Sequence, residues 1–275
     1  MECAALFIWL AVCLFMGGLV HSVMAGALSH RPIQILAAPG VIIRKFSMTL
    51  AALAFGGTVT RVCILELDNR DIDFRAEGAA SVAKVMAPLA PLFGCAVAMV
   101  SLNAAFGYPL ALDYSPPSLA SLDRSGFQGF VEGTWLLLSG VIRQILASDW
   151  GDGRLYVLSA LVFSLALGAC SPMDRVKEAV LGAGVLTVTL AIFSSIAVRR
   201  AGILAATPAW FTATKHFIVG SSGVAFIMTV YGMMVALAVG FAVRIYEVIT
   251  HSAGRAKPKA VPAAPVQEQR RKRAA

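Results

Sequence analysis

Two adjacent cations, Arg44 and Lys45, stand near the middle of an apolar run from Ile33 to Gly57. About 25 residues suffice for a helix to cross roughly 30 Å of hydrocarbon at about 1.5 Å per residue, so the run has the length of a membrane span. A cation at mid-span costs roughly 2.5–3.5 kcal/mol on an insertion scale and is tolerated where it faces a protein interior or a wet cavity and has partners. Whatever folds around this run must therefore be a helical assembly that keeps both side chains out of lipid. Composition agrees: 58% of the 275 residues are hydrophobic, only 14% are charged, and the mean hydropathy is +0.77. That is too apolar for a water-soluble domain, and the expected fold is an all-α polytopic membrane protein. The net charge of +8 fits cations that flank spans and set topology, so no nucleic-acid partner is expected. Five scattered cysteines, Cys3, Cys13, Cys63, Cys95 and Cys170, lack paired spacing and read as small hydrophobes.

Six spans are expected: the N-terminal run to about Leu28, Ile33–Gly57, and runs near Val85–Leu102, Leu155–Met173, Ala179–Val198 and Phe217–Val243. The first has no positive leader region, carries Glu2 and is too long for a cleaved signal, so it reads as a retained span. Phe127–Leu146 has a short apolar core, Trp135–Ile142, bracketed by Glu132 and Arg143, and reads as an interfacial or re-entrant helix. With six spans, fourteen Lys and Arg fall on the side of the termini and seven on the other, which places both termini in the cytoplasm. Residues 1–250 form the membrane domain. The basic, Pro/Ala-rich remainder, 251–275, is expected to be a disordered cytoplasmic tail whose Arg270–Arg273 cluster serves topology or contacts anionic lipid.

After Gly56-Gly57 the β-branched run Thr58–Leu67 reads as a short strand leaving the membrane. Asp68–Glu77 lacks the spacing of a calcium loop and reads as a solvated loop. Gly182-Ala183-Gly184 and Gly220–Gly223 read as close helix-packing positions.

The segment Arg44-Lys45-Phe46-Ser47-Met48, followed by TLAALAFGGTVTRV, resembles the signature of the site-2 protease family of intramembrane zinc metalloproteases, with the H-E-x-x-H residues replaced. Arg44 and Met48 stand at the two His positions and Lys45 at the Glu position. Ser171-Pro172-Met173-Asp174 is similar to the segment from which that family draws a third zinc ligand, here Asp174. The resemblance implies a membrane-embedded former metal site, and a strand edge at Thr58, Val59, Thr60, Arg61 and Val62 that pairs with an extended peptide. A strand that caps its own loop is the alternative. A zinc site needs lone-pair donors held together, as two His one helical turn apart provide. Charged Arg44 and Lys45 offer none, Met48 offers a weak thioether, and Asp174 alone cannot hold the ion, so no metal or cofactor is expected. His21, His30, His216 and His251 show no ligand spacing.

Two functions follow from these readings. One is a non-catalytic, site-2-protease-like protein that binds or regulates membrane partners, a protein or peptide segment, in contact with lipid. The other is a transporter, channel or assembly subunit in which Arg44 and Lys45 are charges along an anion path. On the first reading Asp174 is the counter-ion of Arg44 or Lys45, occupying with it the place of the zinc.

Overall fold

The structure is a computed structural model that describes residues 2–24, 31–62, 72–75, 82–107, 117, 124–148, 151–170, 172–204 and 209–255. Among them lie eight helices, α1 (Glu2–Met24), α2 (Arg31–Ala54), α3 (Val82–Met86), α4 (Ala90–Ala105), α5 (Arg124–Ala147), α6 (Gly153–Ala169), α7 (Met173–Leu204) and α8 (Ala209–Arg255), and two strands, β1 (Thr58–Val62) and β2 (Ile72–Arg75).

The protein is a helical membrane protein, and α2 shows why. Its buried positions, Ala37, Gly40, Arg44, Lys45, Met48 and Ala52, recur at helical spacing and form one stripe. The opposite face exposes Ile35, Ile42, Phe46, Leu50 and Leu53, with Phe46 at 68% exposure. A helix that turns its cations inward and its large apolar side chains outward is amphipathic in the sense opposite to water-soluble proteins, and is at home in lipid. α7 repeats the pattern, with Ala179, Gly182, Ala183 and Thr187 inside and Leu181, Val185, Val188 and Ile192 outside.

Five helices contain segments long and apolar enough to cross a membrane: Cys3–Met24, Ile33–Ala54, Ser125–Ala147, Arg175–Ile196 and Ala209–Tyr246. The set differs from expectation at three places. The residues of the expected interfacial helix, Phe127–Leu146, lie within the continuous α5 and so within one of these long segments. The expected span Val85–Leu102 is split by the Ala87–Leu89 turn into α3 and α4, because Pro88 and Pro91 cannot donate to a continuous ladder; Pro91 instead occupies the first turn of α4. The expected span Leu155–Met173 stops at Cys170, where Ser171-Pro172 ends α6, since a residue before proline disfavours the α region.

α1 packs against α7 and α8, and its contacts fix their directions. Phe7 faces Gly184 while Gly18 faces Met173 and Val176, so α7 runs antiparallel to α1. Trp9 packs on Phe226 at 4.5 Å between ring centroids and donates its indole N–H to the Ser222 carbonyl, while Val20 meets Gly232 and Val23 meets Gly240. α8 therefore runs parallel to α1, which puts Glu2 and Arg255 at opposite ends of the bundle.

α2 and α6 approach backbone to backbone. A Cβ on Gly40 would overlap the Ser164 carbonyl, and one on Gly168 would overlap the Gly40 carbonyl. Only glycine permits this crossing. Of the other glycines expected at close packing, Gly182 sits against the Val85 carbonyl, whereas Gly220 meets nothing within 4 Å.

β1 leaves α2 through Gly56, whose φ of 77° suits a residue without Cβ. It pairs antiparallel with β2, Thr58 opposite Arg75 and Val62 opposite Ile72, with an irregularity between Val59 and Arg61. β2 falls where a loop is expected; Ile72 and Phe74 alternate with Asp73 and Arg75, a period-2 signal within a charged stretch. Of the tail expected to begin at residue 251, residues through Arg255 continue α8, and 256–275 lie outside the described residues.

Candidate functional site

The break between α6 and α7 lies inside the bundle. Ala166 and Val20 both face Gly232, Cys170 faces Gly17, and Met173 faces Gly18, so the interruption lies beside Gly17 and Gly18 of α1, within the apolar length Cys3–Met24. A helix that ends at such depth leaves its last carbonyls without intrahelical donors, in a medium that offers no water. Cys170 has extended backbone, φ −72° and ψ 125°; its N–H bonds to the Ala166 carbonyl, and its own carbonyl points away from the helix ladder.

Arg44 meets that carbonyl. Its Nη1 donates to the Cys170 oxygen at 3.1 Å, a contact that joins residues 126 apart in sequence. A guanidinium at a helix C-terminus also opposes the partial negative charge of the macrodipole there. Arg44 is 6% exposed, and Lys45 and Met48 are each 2% exposed. The three positions that resemble the H-E-x-x-H site thus all face the protein core. The Cys95 and Cys170 thiols lie within electrostatic reach of Arg44.

Arg44, of the first segment singled out, thus meets Cys170, the residue just before the second, 171–174, in which Ser171 lies outside the described residues. Asp174 stands in the first turn of α7, but its side chain lies outside the described residues, and so does the geometry of its expected pairing with Arg44 or Lys45. α7 opens on Pro172, whose carbonyl accepts from the N–H groups of Arg175 and Val176. Among the described residues no three His, Cys, Asp or Glu side chains cluster as metal ligands.

Around the pair, hydroxyls satisfy themselves locally. Ser47 donates to the Ile43 carbonyl and Thr49 to that of Lys45, each at 2.8 Å, which spares the core an unsatisfied polar group. One contributor is not evident from residue type: Ser164 of α6 accepts the Gly40 N–H at 2.8 Å. Its signal in the sequence is Pro39, which disturbs the ladder inside α2 and leaves backbone groups in need of outside partners. The Cys170 carbonyl, a backbone group, has no residue-type signal; only the Ser171-Pro172 break points to it.

The expected peptide edge, Thr58–Val62, is largely exposed and follows α2 directly, so it stands at the mouth of the helix that carries Arg44 and Lys45. β2 occupies one edge of β1. No protein-family model, curated protein or solved structure matches the chain.

Proposed function

We propose that this membrane protein is a non-catalytic relative of the site-2 proteases, in which a cation-capped helix break stands in place of the zinc centre and β1 presents an extended edge to a membrane partner. The observation that carries the reading is the Arg44–Cys170 hydrogen bond. It joins Arg44, in the segment resembling H-E-x-x-H, to Cys170, the residue just before the segment resembling the third-ligand motif, which supports a spatial relation between the two stretches. Arg44 and Lys45 then act as fixed internal charges that hold α2, α6 and α7 together, while the partner's peptide adds to β1 through main-chain hydrogen bonds.

The test combines metal content with capture. Purified protein should contain no stoichiometric zinc and should leave membrane peptides uncut, while a photo-crosslinker at Val59 should trap a membrane-inserted peptide that unwinds near its end. One equivalent of tightly held zinc, lost in Asp174→Ala, would overturn the reading. Saturable anion flux in proteoliposomes, abolished by Arg44→Gln, would transfer the two cations to a transport path.

Topology belongs to the same reading. The expectation of two cytoplasmic termini rests on an even number of crossings, whereas parallel α1 and α8 favour an odd number. Compartment reporters at the N-terminus and after Gly254 should give opposite signals. Equal signals from the two fusions would sink the odd-crossing arrangement.

A further inference from the structure

Of the five helices long and apolar enough to cross a membrane, α5 is the least covered by the rest of the chain, and the face it turns away from the bundle carries polar side chains. Phe130, Val141 and Ile145 are buried and form its inner stripe. On the opposite side Gln128 and Glu132, one helical turn apart, stand exposed. Gly129 lies beside them, with nothing within 4 Å of where its Cβ would be. Among the described residues neither Gln128 nor Glu132 has a bonding partner.

Depth decides what such a face needs. Phe130 meets Trp9 edge-on at 6.3 Å between ring centroids, and Trp9 lies six residues, about 9 Å, inside the apolar length Cys3–Met24. Glu132 follows Phe130 by two positions, so its carboxyl stands at the level of hydrocarbon and below the headgroups. A carboxylate turned toward lipid at that level is costly, and a partner that supplies hydrogen-bond donors removes the cost. Arg143, also exposed, is near the end of α5, where a long side chain reaches the headgroups unaided.

A second copy of the chain has the matching chemistry. Copies insert the same way round, so a two-fold axis along the membrane normal sets α5 parallel to its equivalent and makes every contact occur twice. Positions one turn apart then meet across the axis, each Gln128 beside the other copy's Glu132. The amide is a donor and the carboxylate an acceptor, so the face is complementary to itself. Gly129, with no side chain, lets the two backbones approach. We propose that α5 joins two copies of this chain into a parallel dimer, with the Gln128 amide of each donating to the Glu132 carboxylate of the other and Gly129 beside the crossing. The contact is separate from the Arg44 centre and stands whether or not the protease-like reading does.

Single-molecule photobleaching of the labelled full chain in phosphatidylglycerol–phosphatidylethanolamine vesicles, at rising protein-to-lipid ratio, reads the dimer directly. The wild type should pass from one bleaching step to two. Glu132→Leu and Gln128→Leu should each raise the dissociation constant about tenfold through loss of the paired interhelical hydrogen bonds. Glu132→Gln should preserve the dimer, since an amide oxygen still accepts from Gln128. All three substitutions are at exposed positions and should leave the melting temperature of the monomer unchanged. Oxidative cross-linking gives the register: Gly129→Cys should link two copies, whereas Val131→Cys, exposed on another side of α5, should not. One-step bleaching at every density, equal cross-linking from the two cysteine positions, or a dimer indifferent to Glu132→Leu would each overturn the assignment. So would rapid labelling of Glu132→Cys in membranes by a charged, impermeant maleimide, which would place this face in water.

Discussion

Arg44→Gln and Asp174→Asn should each destabilise the folded protein by roughly 3–5 kcal/mol, and the double variant should recover a substantial part of the loss. The Arg44 contribution has two parts. Its hydrogen bond to the Cys170 carbonyl involves a charged donor, a class that adds about 1.5–3 kcal/mol when made and leaves a costly buried acceptor when lost. The larger part is the charge itself: removing one member of a buried ion pair strands the other in a low-dielectric interior, at about 3–5 kcal/mol. Asp174, in the first turn of α7 and four residues beyond Cys170, is the acid that the proposed arrangement assigns to the pair. Desolvation offsets much of the attraction between intact partners, so the double variant loses the pair without leaving a lone charge. Folded yield and denaturation midpoint in detergent measure the cycle. Strict additivity of the two single losses would break the pairing, while a large loss in Arg44→Gln alone would still be explained by the Cys170 carbonyl.

The second large effect is steric. Gly40→Ala places a methyl group on the Ser164 carbonyl, a backbone atom that cannot rotate aside, so α2 and α6 must separate. Overpacking of this kind costs about 1–3 kcal/mol and sometimes more. The upper end is expected, because separation also lengthens the Gly40 N–H bond to the Ser164 hydroxyl and draws Arg44 away from Cys170. Gly220→Ala is the matched control. Its Cβ meets nothing within 4 Å and it lies inside α8, so the substitution should be neutral or stabilising by up to about 1 kcal/mol, the helix-propensity difference. Equal melting temperatures for the two variants would show that the crossing is looser than this packing requires.

The main features of the centre were legible because they break the composition rules of a membrane chain. A cation pair inside an apolar run has to be internal, and the stripe formed by Arg44, Lys45 and Met48 follows from helical spacing. What escaped was carried by the backbone. The partner of Arg44 is a carbonyl, which every residue has, and the close approach at Gly40 and Gly168 depends on which two of many glycines face each other. The α3–α4 break was written in Pro88 and Pro91, but hydropathy summed over a window conceals prolines flanked by alanine and leucine. β2 was hidden for the opposite reason, since its charges outweighed the alternation of Ile72 and Phe74. The directions of α1 and α8 cannot be read from any local pattern, because each is apolar on all sides over most of its length.

That parallel pairing also sets an order of events during synthesis. Trp9, fully buried, finds its indole acceptor on Ser222 and its stacking partner in Phe226, more than two hundred residues later. Closing so long a loop adds little to the entropic cost, which grows only with the logarithm of length, but it cannot happen before the last helix has left the ribosome. Until then the first helix must wait in the bilayer with a polar N–H and an aromatic face uncovered, and Arg44 must wait for the carbonyl at the end of α6. The bundle therefore closes as a late step, with its oldest segment docking on its newest.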